Sequence, residues 1–493
     1  MKNLIAAIDL GSNSFRLVIG RVVRNEGSSQ VYQIDRLKET VRLAAGLQED
    51  KTLDEETIER AINVLKRFGE RLRSFSPERV RAVATNTFRV ASNAQRVLEL
   101  AEQALGFPIE VIAGREEARL IFSGVTHSLP LSDDRRLVID IGGGSTEFVI
   151  GQHFQPQLLE SLPMGCVSYS QHFFPGGRID AKSMKAAELA ARGELEAIAE
   201  KYRDTGWEAA FGSSGTAKAL CAILTASGTT QHRITLDGMQ ALKAKLIKVG
   251  SVEKADLPDI KADRVAVLPG GLAIMLAAFQ ELGITEMQTA DGALRVGVMF
   301  DLLGRDAPDD MRAVTVEQFQ HRYLVDRAQA ERVKALAHTL HQAWASPDSP
   351  AELHSMLAWA ADLHEIGLSI AHHRYAEHSA YILANSDMPG FSNQEQELLA
   401  QLVLGHQSKL AKLNPPPETH AIWKAILSLR LATTFMRRRV PLPHFPARIE
   451  GRNGTLVLHL EPGWAEANPL TLHTLQAETS EWQKVGFTLK IVE

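Results

Sequence analysis

Two short stretches of the chain share one alternation of apolar and polar positions. Leu4 to Ile8 and Leu137 to Ile139 are unbroken apolar runs, each ended by an aspartate, Asp9 or Asp140. A turn of small residues follows, then a second apolar run through Leu17-Val18-Ile19 or Phe148-Val149-Ile150. Such runs predict buried strands, and the turns between them predict hairpins. Helical spacing comes next. Thr52-Leu53-Asp54-Glu55 reads as a capping box, opening a helix with Ile58, Ile62, Leu65 and Leu72 on one face. Strands are expected at Arg81–Ala84 and Ile109–Ile112, the latter stopping at Gly114 before a helix that carries Leu120, Ile121 and Phe122. His127 to Asp134 reads as a loop, and a second half starts at Arg136. A helix from Ala181 to about Tyr202, a strand at Ala209–Phe211 and helices at Gly271–Leu282 and Ala293–Leu303 complete an α/β pattern. Gly304 to Asp310 is a linker, after which helices run consecutively to about Arg439. The tail reads as a hairpin across Ala447–Leu460 turning at Arg452-Asn453-Gly454, a helix near Leu470–Trp482 and a strand at Phe487–Val492.

The first two hairpins are copies of one unit. Ile8 to Gly20 aligns without a gap on Ile139 to Gly151, with seven of 13 positions identical. A repeated strand–turn–strand implies two similar half-domains presenting two loops, Gly11-Ser12-Asn13-Ser14 and Gly142-Gly143-Gly144-Ser145. Taken alone, three glycines can be a structural turn. Facing a second loop, their bare N–H groups can form an anion-binding nest and clamp a phosphoanhydride. Asp140 and Glu147 bracket the glycine tip and offer the hard oxygens that Mg²⁺ prefers. Glu116 and Glu117 lie in the first turn of a helix, where the macrodipole alone favours a carboxylate by roughly 0.3–1 kcal/mol. Neighbouring helical residues are offset by about 100°, so the two glutamates have different jobs. Arg89 follows Thr85-Asn86-Thr87 and is either a surface arginine or aimed at a ligand. Ser213 and Gly215 sit in a small-residue turn before a helix, again either a cap or a ligand contact.

Composition narrows the partners. A net charge of −5 over 493 residues, with pI about 6.4, excludes a generally basic nucleic-acid binder. An anionic polymer would need a local basic track, for which Arg374, Lys409, Lys412 and Arg437 to Arg439 are candidates. Two cysteines make no disulfide framework and suit a reducing cytosol. Val267 to Phe279 is the longest apolar-looking run and contains Pro269, Gly270 and Gly271, so it reads as a buried helix and no transmembrane segment is expected. Ten of the 17 histidines fall within residues 321–420, which raises a metal hypothesis for the helical part.

These loops resemble the phosphate motifs of the acetate kinase, sugar kinase, heat-shock ATPase and actin superfamily. More specifically, the chain is similar to the exopolyphosphatase and guanosine pentaphosphate phosphatase family. The resemblance is carried by both loops and by Ala84–Arg89, Gly114–Ile121, Met164–Ser168, Gly212–Thr216 and Asp291–Arg295. It implies two actin-like (ribonuclease H-like) lobes over residues 1–125 and 126–305. An all-α histidine–aspartate-like domain over 311–440 and a small α+β domain over 441–493 would follow. In the helical domain the usual His-Asp pair is His364-Glu365, a departure that favours a non-catalytic domain. The resemblance also implies hydrolysis of the terminal phosphate of inorganic polyphosphate, or of guanosine pentaphosphate to the tetraphosphate, or both. A non-catalytic polyphosphate or alarmone sensor is the non-enzyme alternative. Glu117 would be the general base, Arg89 would offset developing charge, and the two loops with Ser213 and Gly215 would bind phosphate. Asp140, Glu147 and Asp9 would hold Mg²⁺, with K⁺ as an activating monovalent ion. A homodimer is implied, in the cytosol or peripherally associated with a membrane.

Overall fold

The computed structural model describes residues 3–492 except 26, 27, 131, 229, 231, 258, 259, 305–309, 345–350, 408, 414–419, 443, 453 and 454. The interior of the linker and the tip of the last hairpin therefore lie outside the described residues. Two compact units emerge, Met1–Pro308 and Asp309–Glu493.

The first unit contains two sheets built to one plan. Strands β1 (Leu4–Leu10), β2 (Ser14–Asn25), β3 (Ser28–Thr40), β4 (Val80–Ala84) and β5 (Ile109–Val111) lie in the order β3-β2-β1-β4-β5. The second sheet uses β6 (Arg135–Ile141), β7 (Thr146–Gln152), β8 (Gln155–Leu162), β9 (Ala209–Gly212), β10 (Ile234–Thr235) and β11 (Glu286–Thr289), in the order β10-β11-β9-β6-β7-β8. With β10 set aside as an edge strand, the two orders superpose. Each sheet has an antiparallel meander of three strands and two further strands parallel to the first. These are the two actin-like lobes. β1 and β6 are buried on both faces, which is why both read as continuous apolar runs.

Local chemistry departs from expectation in three places. The helix Glu55–Leu72 is capped by Asp54, whose carboxylate accepts from the Thr57 N–H; Thr52 is not the cap, and its hydroxyl bonds Asp50 instead. Strand β3 had no counterpart in the pattern because it is an edge strand whose side chains from Val31 to Thr40 are exposed or half-exposed. The helix from Gly114 continues through Ser128, beyond the expected loop start at His127. The apolar run before Phe279 is indeed a buried helix, Leu268–Leu282.

Two helices bind the lobes together. Gly114–Ser128 ends the first lobe and Leu294–Gly304 ends the second, and they cross at backbone contact. A Cβ at Gly124, Gly292 or Gly297 would lie 2.2, 1.9 or 1.8 Å from a carbonyl oxygen of the other segment, so only glycine fits at these points.

The second unit is helical from Met311–Arg322 to His420–Phe435 and ends in a sheet of β12 (Ala447–Arg452), β13 (Thr455–Leu460) and β14 (Thr488–Val492). No helix of the described residues is long and apolar enough to cross a membrane.

Candidate active site

The duplicated topology brings the two loops to one cleft. Across the hairpins, Asp9 pairs with Arg16 and Asp140 with Glu147 in equivalent register. The cleft is lined by Asp9, Gly11, Ser12, Asn13, Ser14, Glu117, Asp140, Gly142, Gly143, Ser145, Glu147, Ser213 and Gly215, all of which the sequence nominated. It lies at the carboxyl ends of β1, β4, β6 and β9, the usual ligand position of open α/β sheets. Two nominated residues stand off the wall. Gly144 packs against Asn86, whose Oδ1 would lie 2.5 Å from an added Cβ. Arg89 donates to Glu117 Oε2 at 2.9 Å and to the Ile112 carbonyl at 2.8 Å, so its guanidinium grips the glutamate and does not line the cleft.

The glycines are present for approach and not for turn geometry. None of Gly142, Gly143 and Gly144 adopts the left-handed region. A Cβ on Gly143 would stand 2.9 Å from Ser12 Cβ and 3.4 Å from the Asn13 nitrogen, in the opposite loop. Both loops are also held from behind by their carbonyls. Cys166, Val167 and Ser168, at the N-terminus of helix Cys166–Phe173, donate to the Gly142 and Gly143 carbonyls at 2.9–3.2 Å. In the other lobe Val41 and Arg42 donate to the Asn13 carbonyl and Ala44 to that of Ser12, at 2.8–3.1 Å. With the carbonyls tied back, the N–H groups of Ser12, Asn13, Gly143 and Gly144 find no acceptor among the described residues. Asn13 Nδ2 is likewise buried without a partner, as a site built for an external acceptor requires.

The electrostatics point the same way. Burial pushes the carboxyls of Asp9, Glu117 and Asp140 upward, against the opposing pull of Arg16 and Arg295, of Arg89, and of the Ser213 hydroxyl respectively. Glu147 is raised well above the usual carboxylate range, by burial and then by the charges of Glu117 and Asp140. Four carboxylates crowded out of water are costly unless a cation joins them. Asp9, Asp140 and Glu147 all line the cleft, yet among the described residues no three acidic, histidine or cysteine side chains are grouped so that they could hold a metal ion by themselves. Mg²⁺ does not ask for such a group, since it keeps water and substrate oxygens around one or two carboxylates.

Glu116 and Glu117 part company as their angular offset predicts. Glu117 faces the cleft, whereas Glu116 turns away into a bidentate pair with Arg119, both bonds 2.7 Å. Three cationic wall residues were missed: Arg16, Arg264 and Arg295. Arg16 stands at the repeat position of Glu147, a signal that a count of identities passes over. Arg264 lies over the helix start at Gly215, where a Cβ would fall 2.3 Å from its guanidinium nitrogen. Burial and the nearby Arg16 lower Arg295 to about 10.

The sequence profile described as the Ppx/GppA phosphatase family matches residues 21–306, and that of Ppx/GppA phosphatase, domain III, matches residues 311–479. The chain belongs to the Ppx/GppA phosphatase family. Among solved structures, an exopolyphosphatase from Cytophaga hutchinsonii is 23% identical with a TM-score of 0.55, covering 61% of this chain and 97% of its own. The Ppx/GppA family member from Aquifex aeolicus is 26% identical with a TM-score of 0.51, covering 62% of this chain and 99% of its own. The first of these shares the fold, and the second lies in the same family.

In the second unit the clustered histidines meet in pairs, His338 and His354 with ring centroids 3.9 Å apart, but among the described residues they form no group that could hold a metal ion. His364 is buried with its Nδ1 on the Ala361 carbonyl and its ring 5.3 Å from that of His406. Glu365 pairs with Arg439, while His372 and His373 are exposed. Three residues of the nominated basic track are neutralised locally: Arg374 and Lys412 both pair with Glu377, and Arg439 also meets Asp326.

Proposed function

We propose that the chain is an exopolyphosphatase, removing the terminal phosphate of inorganic polyphosphate by water with Mg²⁺. The observation that carries this reading is a groove continuous with the cleft through Arg16, Gly215, Arg264 and Arg295. It adds Arg36, Lys38, Lys218 and Lys261, with Asp291 the one acid among the described lining residues, already paired with Lys218 at 2.9 Å. The cleft measures about 110 Å³ and the groove about 800 Å³. That is room for a reacting phosphoryl group at one end and a run of anionic residues behind it. The described lining contains no aromatic ring; its apolar part is Val18, Leu37, Ala219 and Ala222, which suits a uniform polyanion better than a purine base.

Phosphoryl transfer passes through a loose transition state, so positioning and charge neutralisation do most of the work. The loop amides of Ser12, Asn13 and Gly143 would hold the terminal phosphoryl oxygens. Asp140 and Glu147, with Asp9, would hold Mg²⁺, directly or through water. When bound, the ion would neutralise charge on the anhydride oxygens. Glu117 would accept the proton of the attacking water, its carboxylate held in place by Arg89. Burial raises the affinity of that carboxylate for a proton, which strengthens it as a base.

Phosphate release from long polyphosphate and from guanosine pentaphosphate, measured at equal phosphate concentration, tests the reading. A higher kcat/KM on polyphosphate is expected. Replacing Arg36 and Lys38 by alanine should raise the long-chain KM and flatten its log–log salt slope by about 0.7 for each phosphate no longer neutralised. A higher kcat/KM on guanosine pentaphosphate would replace the proposal with nucleotide hydrolysis. No turnover of either substrate would replace it with a sensor.

A further inference from the structure

Behind the cleft, Asp301 joins three elements that each carry part of the site. Its carboxylate accepts from Arg119, on the helix of Glu117, and from Arg81, on β4 beside β1 and Asp9. Asp301 itself belongs to Leu294–Gly304, the helix of Arg295. Arg119 also clasps Glu116 with two bonds, and Arg81 meets Glu110 of β5 at 2.9 Å. Arg81 and Glu116 are each 2% exposed and Arg119 7%. Buried guanidinium–carboxylate forks are planar and directional, and they fix orientation as well as charge.

We propose that Asp301, through Arg119 and Glu116, is a positioning residue for Glu117. The inference rests on Glu117 being the base. Glu116 directly precedes Glu117 in the first helical turn, so clamping one side chain fixes the rotation of the turn that presents the other. Arg89 fixes the Glu117 carboxylate from the front, and the Asp301 network fixes its backbone from behind. The glycine crossing at Gly124, Gly292 and Gly297 sets the distance between the two helices, and the ion network adds directional bonds across the same contact.

Misplacing a reacting group by about 1 Å can cost roughly 10²-fold. Asp301→Asn should therefore lower kcat about 10- to 100-fold with little change in KM. Residues that act as one unit are non-additive. In a Glu117→Gln background, Asp301→Asn should cost less than about threefold more, because the base it positions is already gone. Arg119→Lys keeps the charge but loses the fork, and it should follow the same two patterns. It carries the test alone if Asp301→Asn does not fold.

The assay is phosphate release under saturating Mg²⁺, with thermal unfolding recorded for every variant. Equal factors in the wild-type and Glu117→Gln backgrounds would overturn the inference. So would a loss confined to KM, which would indicate action through Arg295, or a lowered Tm with kcat unchanged. If Glu117→Gln itself retains full turnover, the assignment of the base fails, and that result is distinct from the others.

Discussion

Gly143→Ala isolates the approach of the two loops from everything else in the site. The added Cβ would stand 2.9 Å from Ser12 Cβ, whereas carbon atoms settle at about 3.5–4.0 Å. The loops must therefore separate by nearly 1 Å. On the proposed reading their amides would face one substrate from two sides, so the displacement would fall directly on the bound phosphoryl group. A misplacement of that size is worth roughly 10²-fold in rate, or about 2.7 kcal/mol of barrier. The backbone itself is not strained, because Gly143 lies outside the left-handed region. Stability should thus change little while kcat/KM falls. Gly144→Ala should be milder, since its added Cβ meets the end of the Asn86 side chain, which can swing away. Gly193→Ala, in the helix Ala181–Thr205 with nothing within 4 Å, is the control and should gain up to about 1 kcal/mol of stability without loss of activity. The assay is phosphate release from a short polyphosphate beside thermal unfolding. If Gly143→Ala keeps more than a third of wild-type kcat/KM, the loops are not held at fixed separation and the reasoning fails.

Glu117→Gln should lower turnover by roughly 10²–10⁴-fold with substrate binding intact. Glu116→Gln should cost less turnover but lower Tm, since it weakens a buried pair; the reverse ranking in phosphate-release assays would exchange their roles. Asp140→Asn should raise the Mg²⁺ concentration needed for half activity, and an unchanged titration would remove Asp140 from the ion's surroundings. His406, 2% exposed, is lowered to about 3, chiefly by burial and then by His364. Its neutral form belongs to the folded state, so it costs stability as pH falls below about 6.5 toward 3, on the order of 2 kcal/mol at pH 5. Thermal unfolding of His406→Gln should lose part of that acid sensitivity, and parallel curves for variant and wild type would refute it.

How far the sequence carried depends on where each signal was stored. The lobes were legible because β1 and β6 are buried on both faces and their hairpins are duplicated. That Glu116 and Glu117 part was legible from helical geometry, whereas the choice of Glu117 came from the family resemblance. Strand β3 was not legible, since an edge strand with exposed side chains has no apolar alternation to read. Nor was the purpose of the glycines, which depends on Ser12 and Asn13 more than 100 residues away in the chain. The placement of Arg89 shows the same limit. Its place just after β4 was legible, but the partner that captures it comes from another helix.

The repeat also contains a division of labour that identities obscure. Asp9 and Asp140 are equivalent, yet their cross-strand partners are Arg16 and Glu147, opposite charges at one position of a duplicated unit. The first lobe thus supplies a guanidinium that opens onto the basic groove, and the second a carboxylate beside Asp140. A symmetric clamp would hold a phosphate but would not distinguish its two ends. Opposite charges could, and under the proposed function chain oxygens would lie toward Arg16 and the cation toward Glu147. Arg16→Gln should accordingly raise the polyphosphate KM and leave the Mg²⁺ titration in place, while Glu147→Gln should shift the titration with less effect on KM. Titrating each variant against both polyphosphate and Mg²⁺ separates the two effects. If both variants moved both parameters alike, the two charges would act as one electrostatic unit, and the charge difference within the repeat would not orient the chain.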